Sequence, residues 1–217
     1  MDRVRVQDRI SWGMNVAART LGISTDVHRP TTASAPLAPE TRYLRLNAAF
    51  SATDGKFNRP TVYGTALWHG FFDSAYTVPG DYLAQNNDIW FIAAQQPLLP
   101  VLCVQINRRI SLSRPAAPTT VGINAYGGVS LTDASVLITD WPASILGTAS
   151  AGHPHADLPS DSSVPNWNVL LPVLSFTDAP ILQPSDLLID DLNRVAVIIA
   201  SELTGLGWRL TAKQATT

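Results

Sequence analysis

At 217 residues the chain has room for one large domain or two small ones. A hydrophobic content of 46% supplies core material, while a charged fraction of only 15% leaves a surface short of charge, with apolar area expected against partners. A net charge of −2 without a basic stripe excludes a sequence-reading nucleic-acid binder, so any DNA contact is expected to be incidental.

The first segment, Asp2 to Leu21, places Val6, Ile10, Met14, Ala17 and Leu21 at helical spacing, with Gly22 as its stop. Arg5 and Arg9 lie outside that stripe and are available to a partner's carboxylates. An amphipathic helix has to dock, either on its own domain or on a neighbouring subunit. The following residues favour the neighbour, because Pro30, Pro36 and Pro39 fix φ and remove donors, so that 23–42 reads as an extended arm or linker. Ile10, Met14 and Leu21, with Arg5 and Arg9, are therefore the candidate interface residues.

From Tyr43 the writing is all-β: short apolar runs punctuated by Gly, Pro, Asn and Asp. The clearest predicted strands are Tyr82 to Ala84, Ile89 to Ala94, Val101 to Asn107, Val136 to Thr139, Val169 to Leu174, Leu187 to Ile189, Ala196 to Ser201 and Trp208 to Ala212. Cys103, inside the apolar run Pro100 to Val104, is expected as a buried small hydrophobe. Two segments repeat one pattern: Pro79-Gly80-Asp81-Tyr82-Leu83 followed by Asn86-Asn87 and Ile89 to Ala94, and Pro184-Ser185-Asp186-Leu187-Leu188 followed by Leu192-Asn193 and Ala196 to Ser201. Aligning them requires a two-residue adjustment in the turn. The expected architecture is mainly β: two small related barrel or sandwich units, at 43–118 and 169–217, joined by connecting strands and a long loop at 119–168, and preceded by the helix at 1–22 and the Pro-rich arm.

Chemistry is harder to find. The phosphate-loop, dinucleotide, zinc-protease and Cys-x-x-Cys patterns are missing from the sequence, and Thr148-Ala149-Ser150-Ala151-Gly152 lacks the first glycine of a nucleophile elbow. His153, His155 and Asp157 fall within five residues and offer three metal ligands, although a polar loop accounts for them equally simply. Asp190-Asp191, and Asp178 with Asp186, are the carboxylate pairs a glycoside hydrolase would need, yet aspartates in a hairpin turn ordinarily bond the backbone. Trp68, His69, Phe71, Phe72, Tyr76 and Tyr82 would suit a sugar-binding face or, more simply, a barrel core. No enzyme activity, metal or cofactor is expected. Only Lys56 and Lys213 among fifteen basic residues are lysines, and there are six tryptophans, a composition that suits interfaces and equally a GC-rich coding sequence.

The elements Pro184 to Asp186, Asp190 to Asn193, Ala196 to Ala200 and Gly207 to Leu210 resemble the small β-barrel core of head-tail connector and head-closure proteins of tailed bacteriophages. The whole chain is similar to phage and prophage virion proteins, at about twice the usual size of a single-barrel connector. The resemblance implies a structural subunit in a homo-oligomeric ring, contacting portal, adaptor or tail proteins around the DNA channel. It further implies residence in the virion, after assembly in the host cytoplasm. No run reaches the roughly 18 to 20 apolar residues of a membrane span, so no membrane partner is expected. The alternatives are a receptor- or glycan-binding tail module and, behind it, a cell-wall hydrolase.

Overall fold

The computed structural model describes residues 3–52, 66–116, 134–147 and 166–214. Helix α1 spans Arg3–Leu21, and the Gly22 N–H donates to Ala18 O at 2.8 Å to close it. A Cβ at Gly22 would stand 2.6 Å from the Ala48 backbone, so only glycine lets the chain turn this closely into the barrel that follows.

Six strands form that first barrel: β1 (Ile23–His28), β2 (Arg42–Ala52), β3 (Leu67–Phe71), β4 (Tyr82–Gln85), β5 (Asp88–Ala94) and β6 (Val101–Gln105), closed in the order β1-β2-β3-β6-β5-β4. A second follows from β7 (Arg108–Arg114), β8 (Ser135–Gly147), β9 (Asn166–Leu171), β10 (Leu187–Asp190), β11 (Val195–Thr204) and β12 (Gly207–Gln214). Its ring order, read from β7, is β7-β8-β9-β12-β11-β10, which is the first order repeated. The strand pairs in both rings are antiparallel, and closure leaves neither barrel with an open edge.

The repeat extends to the irregularities. β1 and β2 slip register at Val27/His28, and β7 and β8 slip at the matching Leu112/Ser113. β5 bulges between Ile92 and Ala94, and β11 between Ile198 and Ala200. The turn before β4 has the Asp81 N–H on Val78 O, Pro79 at its second position and Gly80 at φ +100°. Before β10 the Asp186 N–H is on Gln183 O, Pro184 is second and Ser185 sits at φ +75°. Both are the pattern of a type II turn. The Ile92 and Ile198 N–H groups then bond Asp81 O and Asp186 O, each at 2.9 Å, which fixes Ile92 and Ile198 as equivalents.

That pairing corrects the alignment read from sequence. The second hairpin is longer by one residue, not two: Asn86 takes its left-handed position in the first turn and Asn193 in the second, where Asp190 Oδ1 accepts the Leu192 and Arg194 N–H groups. The predicted boundaries also shift. Residues 23–28 of the expected arm are β1, because Val27 fills the first barrel, and β7 and β8 belong to the second barrel, which begins at Arg108 and not at 169. The remaining Pro-rich stretch is an irregular connector that crosses to the second barrel, where Ala33 O accepts Thr139 N–H at 3.0 Å and Trp141 Nε1–H at 2.8 Å.

Val27, Ala48, Phe72, Leu83, Trp90, Ile92, Val101 and Cys103 fill barrel 1, with Phe50 stacked on Trp90 at 3.9 Å. The opposite faces of β4, β5 and β6 are also apolar, and Tyr82, Phe91, Ala93 and Val104 join the core of barrel 2. Only Ile106 and Asn107 separate β6 from β7. Asn107 pins the join by donating Nδ2–H to Ile145 O and accepting Ile145 N–H, each at 2.8 Å. Among the described residues no helix is long and apolar enough to cross a membrane.

Candidate functional site

α1 lies on β2 and β3 of its own barrel. Gln7 Oε1 accepts Leu98 N–H at 2.9 Å, and Asn15 Nδ2 donates to Asp73 Oδ2 at 3.4 Å. Val6, Ile10, Met14 and Ala17 are half-buried on that side and Ala18 is fully buried. The predicted stripe is real, but it docks within the chain, as burial of a face flanked by such a short connection favours. Leu21, the last residue of the stripe, is 78% exposed, since the helix ends there. Arg5 and Arg9 are exposed, with no ion pair among the described residues. The side of α1 turned to solvent carries Trp12, 70% exposed, with Val4 and Val16. Periodicity passed over Trp12 because it sits outside the stripe.

Two arginine–aspartate clasps hold the barrels. Asp81, 1% exposed, receives Arg29 Nε at 2.7 Å and Nη2 at 2.8 Å, Tyr43 Oη at 2.6 Å and the Val78 N–H at 2.8 Å. Arg29 also lies over the Tyr43 ring, 4.5 Å from its centroid. Burial, with the neighbouring Asp81 carboxylate, pushes the Tyr43 hydroxyl well above the ordinary range, so it stays a donor. At the equivalent place Asp186, also 1% exposed, receives Arg114 Nε at 2.8 Å and Nη2 at 2.9 Å, and the Gln183 N–H at 2.8 Å. Arg29-Pro30 and Arg114-Pro115, each closing the first strand of its barrel, were the sequence signal for these clasps.

These contacts tie one aspartate of each predicted carboxylate pair to an arginine. Asp186 is committed to Arg114, and Asp190 to Arg194 Nε at 2.7 Å. Burial alone would raise the Asp190 pKa, but the Arg194 guanidinium and the backbone N–H groups outweigh it and hold the carboxyl below its ordinary value. A carboxyl so held does not donate a proton near neutrality. Cys103 is fully buried and burial pushes its thiol far up, leaving it inert. Ser150 and the His153, His155, Asp157 cluster lie outside the described residues. Among the described residues no group of three His, Cys, Asp or Glu is placed to hold a metal.

The aromatic set divides. Phe72 and Tyr82 are fully buried, Trp68 packs against the barrel 1 core, and Tyr76 is 70% exposed. Tyr76 borders a groove of about 330 Å³ with Asn15, Arg19, Asn47 and Asp73. A second, apolar cleft of about 540 Å³ lies at the barrel junction, where Phe91 and Ala93 face Leu146, Leu170 and Leu206. Compared with protein-family models, curated proteins and solved structures, the chain matches none.

Proposed function

We propose that this chain is a non-enzymatic structural subunit of a bacteriophage virion, a ring component of the neck or tail that links portal to tail around the DNA channel. The observation that carries the reading is the solvent side of α1: Trp12 is 70% exposed and Val16 43% exposed beside Arg5, Arg9 and Arg19, an aromatic and arginine surface of the kind protein interfaces select. The tandem closed barrels give such a subunit a stiff body, because the inter-barrel join buries Tyr82 with its hydroxyl satisfied on Pro142 O at 3.0 Å. The described carboxylates with the best partners are spent on folding, which fits a mechanical role. Its partners are other virion proteins, portal, adaptor or tail subunits, met in the host cytoplasm during assembly.

Electron cryo-microscopy of the particle that carries the chain tests this, with density expected in a ring at the DNA exit channel. Because Ile10 and Met14 serve the chain's own barrel, the informative variant is Trp12→Asp with Val16→Asp. It is expected to fold normally and fail to enter particles, and normal incorporation would defeat the α1 interface. A second reading, a glycan-binding tail module, draws on the Tyr76 groove, whose ring and amide groups suit a sugar. Density at a fibre tip, with glycan binding lost in Tyr76→Ala, would favour it.

A further inference from the structure

The two barrels meet through unlike surfaces, and the internal repeat supplies a second copy of each. Barrel 1 offers the outward side of β4 and β5, where Tyr82, Phe91 and Ala93 are 0%, 1% and 2% exposed beneath barrel 2. The registers place Leu187, Val197 and Ile199 at the same three positions of barrel 2. There Leu187 is 3% exposed and Val197 half-buried, while Ile199 is 50% exposed, with Ile189, opposite Val195 farther along the hairpin, 36% exposed. A bulge residue that is alanine under cover has become isoleucine in the open, the reverse of what solvent exposure alone would select. Lys213, where barrel 1 has the buried Val104, puts a charge on this face directly across from Val197, beside Ile199's strand.

The receiving surface recurs too. Tyr82 reaches Pro142 of β8, whose counterpart β2 is covered by α1, but Asn168 of β9 with Trp208 and Arg209 at the start of β12 also line the junction cleft opposite Phe91 and Ala93. The equivalents on barrel 1 are His69, Leu99 and Pro100, and the match extends to the backbone, since Leu98 and Gly207 both have positive φ, +69° and +121°. His69, Leu99 and Pro100 line an open groove of about 250 Å³, with Leu98 and Leu99 45% and 54% exposed, and α1 borders it through Gln7.

We propose that the Ile199 side of β11 in one copy seats against the Leu98–Pro100 groove of barrel 1 in a second copy, repeating between chains the part of the inter-barrel contact that α1 leaves open. The two faces differ and each chain has one of each, so the contact is heterologous, and copies add head to tail until they close into a ring or extend. This deepens the ring reading above by naming the surfaces that would build it.

The test uses the full chain with Ile199→Cys and Leu99→Cys combined, the native Cys103 being buried. Mild oxidation is expected to give a ladder of covalent dimers, trimers and higher species, while neither single variant cross-links. Efficient dimers from Ile199→Cys alone would mean a back-to-back contact and overturn the proposal. In sedimentation velocity, Ile199→Asp is expected to weaken self-association at least about ten-fold with unchanged thermal unfolding. A wild-type oligomer that Ile199→Asp leaves intact overturns this choice of surfaces and leaves the ring reading standing. A wild-type chain that stays monomeric at every concentration overturns both.

Discussion

The two barrels share strand order, bulges, an entry turn and a clasp, yet they differ in how each clasp is supported. Asp81 in barrel 1 has Arg29, Tyr43 and the Val78 N–H. Asp186 in barrel 2 has Arg114 and the Gln183 N–H, and the position of Tyr43 is held by Leu137, which supplies no hydroxyl. The comparison separates what the architecture requires from what one copy added. A buried carboxylate under an arginine that ends the first strand is common to both, so it is the part the fold needs. The tyrosine is an accessory.

Removing the shared part gives the largest effect. Arg114→Met strands a buried carboxylate with one backbone donor, and is expected to cost about 3 kcal/mol in urea unfolding, the low end for a broken buried pair because water reaches the arginine side. Arg29→Met leaves Asp81 its tyrosine and is expected to cost about 2 kcal/mol. Adding Tyr43→Phe to Arg29→Met should close the gap. Equal losses from the two single variants would mean that the hydroxyl contributes nothing to holding Asp81.

Much of this was legible in the chain. The Pro-x-Asp repeat, the Asn turns and the apolar β5 and β11 announced the duplicated hairpin, and Gly22 marked the helix stop. The missed strands were those with alternating and not continuous apolar residues. In β2, Leu44, Leu46 and Phe50 turn inward while Arg45, Asn47 and Ser51 turn outward, and in β7 Ile110 and Leu112 do the same between polar neighbours. Trp68 and Trp167 are equivalent by register, each entering its barrel's third strand, but a lone tryptophan carries no alignment without the strands around it. The candidate site was less legible. Which side of α1 packs and which stays outside depends on the barrel surface below it, and equivalence of the exposed Ile199 with the covered Ala93 requires the bulge, which sequence does not display.

The entry turns offer the next contrast. Gly80 and Ser185 occupy the same left-handed position, where an L side chain costs about 1 kcal/mol relative to glycine. Ser185→Gly is expected to stabilise the chain by about that amount. Gly80→Ser is expected to destabilise it by more, because its Cβ would also stand 3.2 Å from Val173 O. A neutral Ser185→Gly would show that the serine's own contacts offset its strain.

The smallest effect is a difference in pH response. His28 in barrel 1 is 7% exposed and bonded at Nδ1 to Thr41 Oγ1 at 3.0 Å, whereas its equivalent in barrel 2 is Ser113, which does not titrate. Burial, partly opposed by the Ala38 backbone and Asp26, lowers the His28 pKa from its ordinary value of 6.5. The folded state therefore prefers the neutral ring, and as pH falls below 6.5 the unfolded chain takes up a proton that the folded chain refuses. Stability contributed by the neutral ring is complete above that pH and declines below it, until the folded pKa is passed. Cys103 reports the event locally, since it is buried in barrel 1 while its counterpart in barrel 2 is Ala212. Thiol labelling, normalised at each pH to the rate in the denatured chain, is expected to speed up as pH drops from 7 toward 5. In His28→Gln the acceleration should vanish, and if it persists, the acid-sensitive group of barrel 1 is not His28.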